Sequence, residues 1–218
     1  MTAPTKPYAA RLEIDYPEHL DRITTAFRFI WIIPIAIVLG ALSAAATSSV
    51  TVITDTGQVV TQVSRTGGGI AGGLFAATLL MVVFRRRYPR WWFDFALQFN
   101  RFGARVAAYG ALLTDRYPST VEEQSVHLDL DYPDAEKDLN RWLPLVKWLL
   151  VIPHIIVLAF LFLGAFFAVI IAWFAILFTG RYPRGLFDYV VGVTRWALRV
   201  SAYATLLLTD RYPPFRLG

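Results

Sequence analysis

From Trp148 to Phe178 the chain reads WLLVIPHIIVLAFLFLGAFFAVIIAWFAILF, without one Asp, Glu, Lys or Arg. About 20 apolar residues cross a bilayer core, so the run exceeds one span. A turn near Gly164 is expected to divide it into spans over 143–163 and 165–179. Two more uncharged stretches, 29–46 and 67–84, each approach one span in length. The sequence therefore predicts an all-α membrane protein with four transmembrane helices in two hairpins. Composition agrees, because 56% of the residues are hydrophobic and only 17% charged, against about a quarter in soluble domains. Without cysteine, disulfides and thiolate chemistry are excluded.

Of the 21 Lys and Arg residues, only Arg65 lies between the first two spans and none lies at Gly164. Cytoplasmic loops collect such residues, so both termini and the segment after each hairpin are expected in the cytoplasm. The net charge of +5 then faces anionic lipid head groups. Nucleic acid is the weaker reading, since the basic residues hug the expected membrane edges. The opening MTAPTKPYAARLEIDYP has no apolar core of a cleaved signal.

The heptapeptide LLTDRYP occurs at Leu112 to Pro118 and again at Leu207 to Pro213. Earlier segments also match in order: LEIDYP with LDLDYP, FRFIWIIPIAIVL with VKWLLVIPHIIVL, and FRRRYPRWWFDF with FTGRYPRGLFDY. This alignment sets Arg28 against Lys147, Arg101 against Arg195, Arg105 against Arg199 and Tyr109 against Tyr203. Two tandem copies of one unit are expected: a tail at 1–8, a first copy at 9–118, a linker at 119–124 and a second copy at 125–218. An even number of spans in each would make them parallel repeats.

Each copy opens on a period-two segment, with Leu12, Ile14 and Tyr16 on one face and Leu128, Leu130 and Tyr132 in its counterpart. These read as short strands that pair with each other. The first copy also carries two β-branched runs around DTGQ, expected as a small β-hairpin outside the membrane. Pro34 and Pro153 fall early in spans and predict helix kinks. After each hairpin an amphipathic helix is expected at the interface, over 91–114 and 185–209. On the first, Asp94, Gln98, Arg101 and Arg105 share a face, and Asp188, Arg195 and Arg199 repeat it. With Arg87, Arg90, Arg181 and Arg184 at the Tyr-Pro boundaries, these residues are the candidates for holding lipid head groups or a partner protein.

His154 is the one imidazole inside an expected span and so an intramembrane functional candidate. Its counterpart is Ile35 and no carboxylate shares its stretch, which favours a neutral, hydrogen-bonded histidine. His19 and His127 lack the spacing of metal ligands, and no metal or cofactor site is expected. Phosphate-binding glycine loops, nucleophile elbows and HExxH are missing. Arginines beside Asp94 and Asp188 favour ionised, structural carboxylates.

The stretch LFTGRYPRGLFDYVVGVTRWALRVSAYATLLLTDRYPPF, Leu177 to Phe215, resembles an uncharacterised bacterial membrane family, largely actinobacterial, known as the domain of unknown function DUF4389. The first copy departs from the pattern, with FRRRYPR in place of FTGRYPR and Ser119 in place of the second proline. The resemblance implies a multi-pass protein of the bacterial inner membrane, and no activity. The expected function is a non-catalytic accessory or scaffold protein that binds anionic lipid and either a protein partner or its own copies. Alternatives are a small transporter or channel component and a lipid-modifying enzyme. The spans lack the charges that mark an ion route.

Overall fold

The computed structural model describes residues 7–43, 47–53, 59–65, 69–120, 122 and 124–218. Strand β1 (Ala10–Ile14) pairs antiparallel with β4 (Val126–Leu130), Leu12 opposite Leu128, as the alternation predicts. Ala10, Leu12, Val126, Leu128 and Leu130 are buried, while Arg11, Glu13, His127 and Asp129 face out. The buried face rests on two amphipathic helices, β1 on α7 (Arg184–Ala204) and β4 on α4 (Arg90–Gly110).

Other faces of those helices carry the apolar elements. Helix α1 (Arg22–Ala26), capped by the Asp21 carboxylate, leads into α2 (Arg28–Ser43), which packs on α4. Helix α3 (Gly69–Leu80) meets α4 where Trp92 Nε1 donates to Thr78 at 2.7 Å. On α7 lie α5 (Pro144–Leu150) and α6 (Ile152–Thr179). Strands β2 (Thr47–Ile53) and β3 (Val59–Arg65) form the expected hairpin. Its DTGQ tip falls within 54–58, outside the described residues.

The architecture overturns the four-span expectation. Among the described residues one helix, α6, is long and apolar enough to cross a membrane. Its 28 residues reach about 42 Å at 1.5 Å per residue. The 16 residues of α2 reach only about 24 Å, short of a hydrocarbon core of about 30 Å. Helix α3 has 12 residues and passes into a π-helical turn, Met81–Arg85.

No turn forms at Gly164 either. One glycine costs a helix only about 1 kcal/mol, and here it makes room. The Tyr189 hydroxyl lies 2.5 Å from where a Cβ would stand and donates to the Leu161 carbonyl at 3.0 Å. From Ile152 to Thr179 the run is thus one continuous helix. The argument for two cytoplasmic termini, which needs an even number of crossings in each half, falls with it.

Pro34 lies inside α2 as expected. Pro153 stands in the first turn of α6, directly after the break at Val151 that separates α5 from α6, where its missing N–H leaves no α-helical bond to lose.

The amphipathic helices run over Arg90–Gly110 and Arg184–Ala204 rather than 91–114 and 185–209. They do not lie alone on a surface but are sandwiched between strands and apolar helices. Helix α7 runs antiparallel to the chain from α5 into α6, with Tyr189 beside Leu161, Trp196 beside His154 and Tyr203 beside Lys147. Against this body α6 buries one stripe, Leu158, Ala165, Ala168, Ala172 and Ile176. Only 22% of its most apolar window is buried, and Phe160, Phe166, Phe167, Phe174 and Phe178 stand exposed. Apolar surface on that scale marks an interaction with lipid or protein.

Candidate functional site

The repeated heptapeptide builds the same clasp twice. Leu112 and Leu207 adopt left-handed backbone, φ 64° and 54°, which closes α4 and α7 and turns Thr-Asp-Arg back toward the apolar helices. The Leu113 N–H reaches the Ala108 carbonyl, a six-to-one bond that caps a helix end, and the Leu208 N–H reaches that of Ala202, one residue further back. In the first half the Asp115 carboxylate accepts from the Arg28 guanidinium and, at 2.7 Å, from the Asp21 N–H. Arg28 also donates to the carbonyls of Tyr109 and Thr114 and lies 4.3 Å over the Tyr109 ring. In the second half Lys147 Nζ sits 2.7 Å from both Asp210 Oδ1 and the Thr209 carbonyl, over the Tyr203 ring. The other Asp210 oxygen accepts from the Asn140 N–H.

Arg28 is 2% exposed and Lys147 0%. Burial holds the Lys147 ammonium below the ordinary lysine range, against the pull of Asp210. Sequence reasoning aligned these two cations but gave them no role. The available signal was a lone cation at the mouth of an otherwise uncharged helix in each half.

The arginine stripes serve the fold. Asp15 N–H donates to the Ser125 carbonyl and Asp131 N–H to that of Ala9, so the alternate pair Leu12 and Leu128 points its carbonyls outward. Arg195 Nε caps the first at 2.9 Å and Arg101 Nε the second at 2.8 Å. An unpaired strand edge invites association, and these guanidiniums blunt it. Arg101 also pairs with Asp129, and Arg105 donates to the Ser119 carbonyl. Arg199 donates to the carbonyls of Arg216 and Gly218. Asp94 and Asp188 are exposed.

A second basic group differs in standing exposed at helix ends. Arg85, Arg86, Arg87 and Arg90 follow the C-terminal end of α3, and Arg181 and Arg184 follow that of α6. All six are exposed, where positive charge complements the helix dipole. Arg90 lies over the Tyr132 ring and Arg184 over that of Tyr16.

At the helix ends, Arg86 holds φ 50° where the second half has Gly180 at φ 73°. Left-handed backbone costs a side-chain-bearing residue about 1–2 kcal/mol, partly offset by the entropy glycine loses on folding. Arg86→Gly is therefore expected to raise stability by about 0.5–1 kcal/mol, read as a higher unfolding midpoint.

The tyrosines of the Tyr-Pro pairs are crossed between halves. Tyr16 donates to the Tyr182 carbonyl at 2.5 Å and Tyr132 to that of Tyr88. Tyr88 itself donates to the Leu206 carbonyl, and burial pushes its hydroxyl up to about 12. Tyr8 and Tyr182 are raised as well, chiefly by burial. Below about pH 10 these groups are neutral in both states. Above it the unfolded chain loses protons that the folded chain keeps, so stability falls as pH climbs from about 10 to about 12. Thermal midpoints from pH 8 to 11 should show that fall, and Tyr88→Phe should lessen it by roughly 1 kcal/mol.

His154 is buried. Its Nδ1 accepts from Trp196 Nε1 at 3.1 Å and its ring stacks on Phe215 at 3.9 Å. An accepting Nδ1 fixes the neutral tautomer that carries hydrogen on Nε2, which agrees with a hydrogen-bonded core histidine. Among the described residues no group of three or more His, Cys, Asp or Glu is placed to hold a metal. No curated protein and no solved structure matches the chain. The stretch with its own clasp, histidine and basic rim does have a match: residues 142–216 fit the family model described as Domain of unknown function (DUF4389).

Proposed function

We propose that the chain is a non-catalytic accessory or scaffold protein of a bacterial cytoplasmic membrane, held there by α6, whose exposed arginine rim binds anionic lipid head groups. One observation carries this reading: the six exposed arginines cluster where α3 and α6 end, beside the exposed rings of Phe84, Trp91 and Phe178. Cations and amphipathic rings at the edge of an apolar helix suit the head-group layer, and each basic residue there gains about 1 kcal/mol from anionic lipid. The same tendency puts the rim on the cytoplasmic side. We read the chain further as a tandem pair of the matched unit, supported by the paired clasps and by the crossed tyrosines.

The test is lipid retention. Protein in nanodiscs of mixed phosphatidylcholine and phosphatidylglycerol is moved to detergent and its bound lipid weighed by native mass spectrometry. Wild type is expected to keep phosphatidylglycerol. A variant with Arg85, Arg87, Arg90, Arg181 and Arg184 changed to Gln should keep at least tenfold less, and equal retention would overturn the assignment.

A further inference from the structure

Beside α7 the last residues of the chain fill a groove. Leu217 lies against Gly192, where an added Cβ would stand 2.9 Å from the Leu217 Cβ. Arg199 takes the carbonyls of Arg216 and Gly218, two residues apart. Phe215 closes over His154 and Trp196. The matching place beside α4 is different. The linker supplies one carbonyl, Ser119, to Arg105 Nη1 at 2.6 Å and then departs toward β4. What remains is an open cleft of about 350 Å³, walled by Gln98, Arg101, Arg105, Thr120, His127 and Asp129. Gln98 and Arg105 stand where the second half has Gly192 and Arg199.

The charges of this cleft say what would enter it. Arg101 is matched by Asp129 and His127 faces Asp15. Among the described residues Arg105 bonds only a neutral carbonyl, and its buried Nε meets no acceptor. A guanidinium so placed favours a carboxylate, because charge-assisted bonds are about twice as strong as neutral ones. Gln98 in the glycine's place puts a side chain where Leu217 packs in the second half.

We propose that this cleft receives an extended acidic peptide segment of a partner protein, lying where residues 216–218 lie beside α7, with a carboxylate on Arg105 and a small residue against Gln98. The site is separate from the lipid rim.

The probe is the fluorescein-labelled tetrapeptide Gly-Glu-Ala-Glu, titrated into the full chain in nanodiscs and followed by anisotropy. Saturable binding is expected, at least tenfold weaker for Gly-Gln-Ala-Gln and for the Arg105→Gln protein, and unchanged in the five-arginine rim variant. Gln98→Gly should admit Gly-Glu-Leu-Glu, which wild type rejects. Because Arg105→Gln also loses the Ser119 bond, Gln98→Trp is the second variant: it leaves Arg105 intact, puts a bulky ring into the cleft and should abolish binding. The proposal is overturned by no saturable binding to wild type at millimolar probe, by equal binding in Arg105→Gln or Gln98→Trp, or by full competition from 10 mM inorganic phosphate, which would mark a small-anion site.

Discussion

Asp115→Ala is expected to cost about 3–5 kcal/mol of stability, the usual penalty for removing one partner of a buried ion pair. Arg28, 2% exposed, would keep its carbonyl partners at Tyr109 and Thr114 but lose the carboxylate that neutralises it. The Asp21 N–H, at the residue whose own carboxylate caps α1, would lose its acceptor too. Asp210→Ala should act alike through Lys147 and the Asn140 N–H, with one difference of chemistry. A lysine can shed its proton when stranded, whereas an arginine cannot, so the first clasp should suffer more. The decisive comparison is the double variant Arg28→Met, Asp115→Ala. Removing both charges takes away their desolvation cost together with their attraction, so it should be more stable than Asp115→Ala alone. Thermal unfolding in one detergent measures all three. A loss below about 1 kcal/mol for Asp115→Ala would mean that water reaches the pair and that the heptapeptide is repeated for another reason.

The sequence made the strands legible because period-two alternation survives in five residues: Leu12 and Leu128 had to face one side and Glu13 and Asp129 the other. It also located the amphipathic helices to within a few residues, since their apolar and polar faces are distinct. What it could not show was the direction in which the arginines look. A helical wheel puts Arg101 and Arg105 on a polar face but does not say whether that face meets solvent or a row of carbonyls. The edge carbonyl of Leu128, a partner 27 positions away in the chain, decides it. Gly164 failed for a related reason. A glycine amid apolar residues reads as a turn when a run is too long for one span, yet a glycine beside a crossing tyrosine is a packing device, and Tyr189 is 25 positions on (189 − 164). Hydropathy likewise counted α2 and α3 as spans because it weighs composition, whereas the chain limits them by length.

Phe166→Lys should separate the two environments available to α6. Phe166 is 59% exposed and lies near the middle of the helix, away from the buried stripe of Ala165, Ala168 and Ala172. In water, replacing an exposed phenylalanine by lysine removes an aggregation-prone surface, and the protein should become more soluble at little cost in stability. In hydrocarbon, the same change costs about 2.5–3.5 kcal/mol at the centre of a crossing helix. The two environments therefore predict effects of opposite sign, which composition alone cannot supply. For a helix held in lipid as proposed, the fraction that resists carbonate extraction should fall steeply for Phe166→Lys. It should stay unchanged for Phe166→Leu, which keeps the apolar face. A lysine at Thr179, next to Arg181 at the rim, should be harmless, because a cation there reaches the head groups. If Phe166→Lys instead leaves extraction unaltered and yields a soluble, monodisperse chain, the exposed face of α6 is a protein contact surface, and membrane residence must be withdrawn along with the lipid-binding rim.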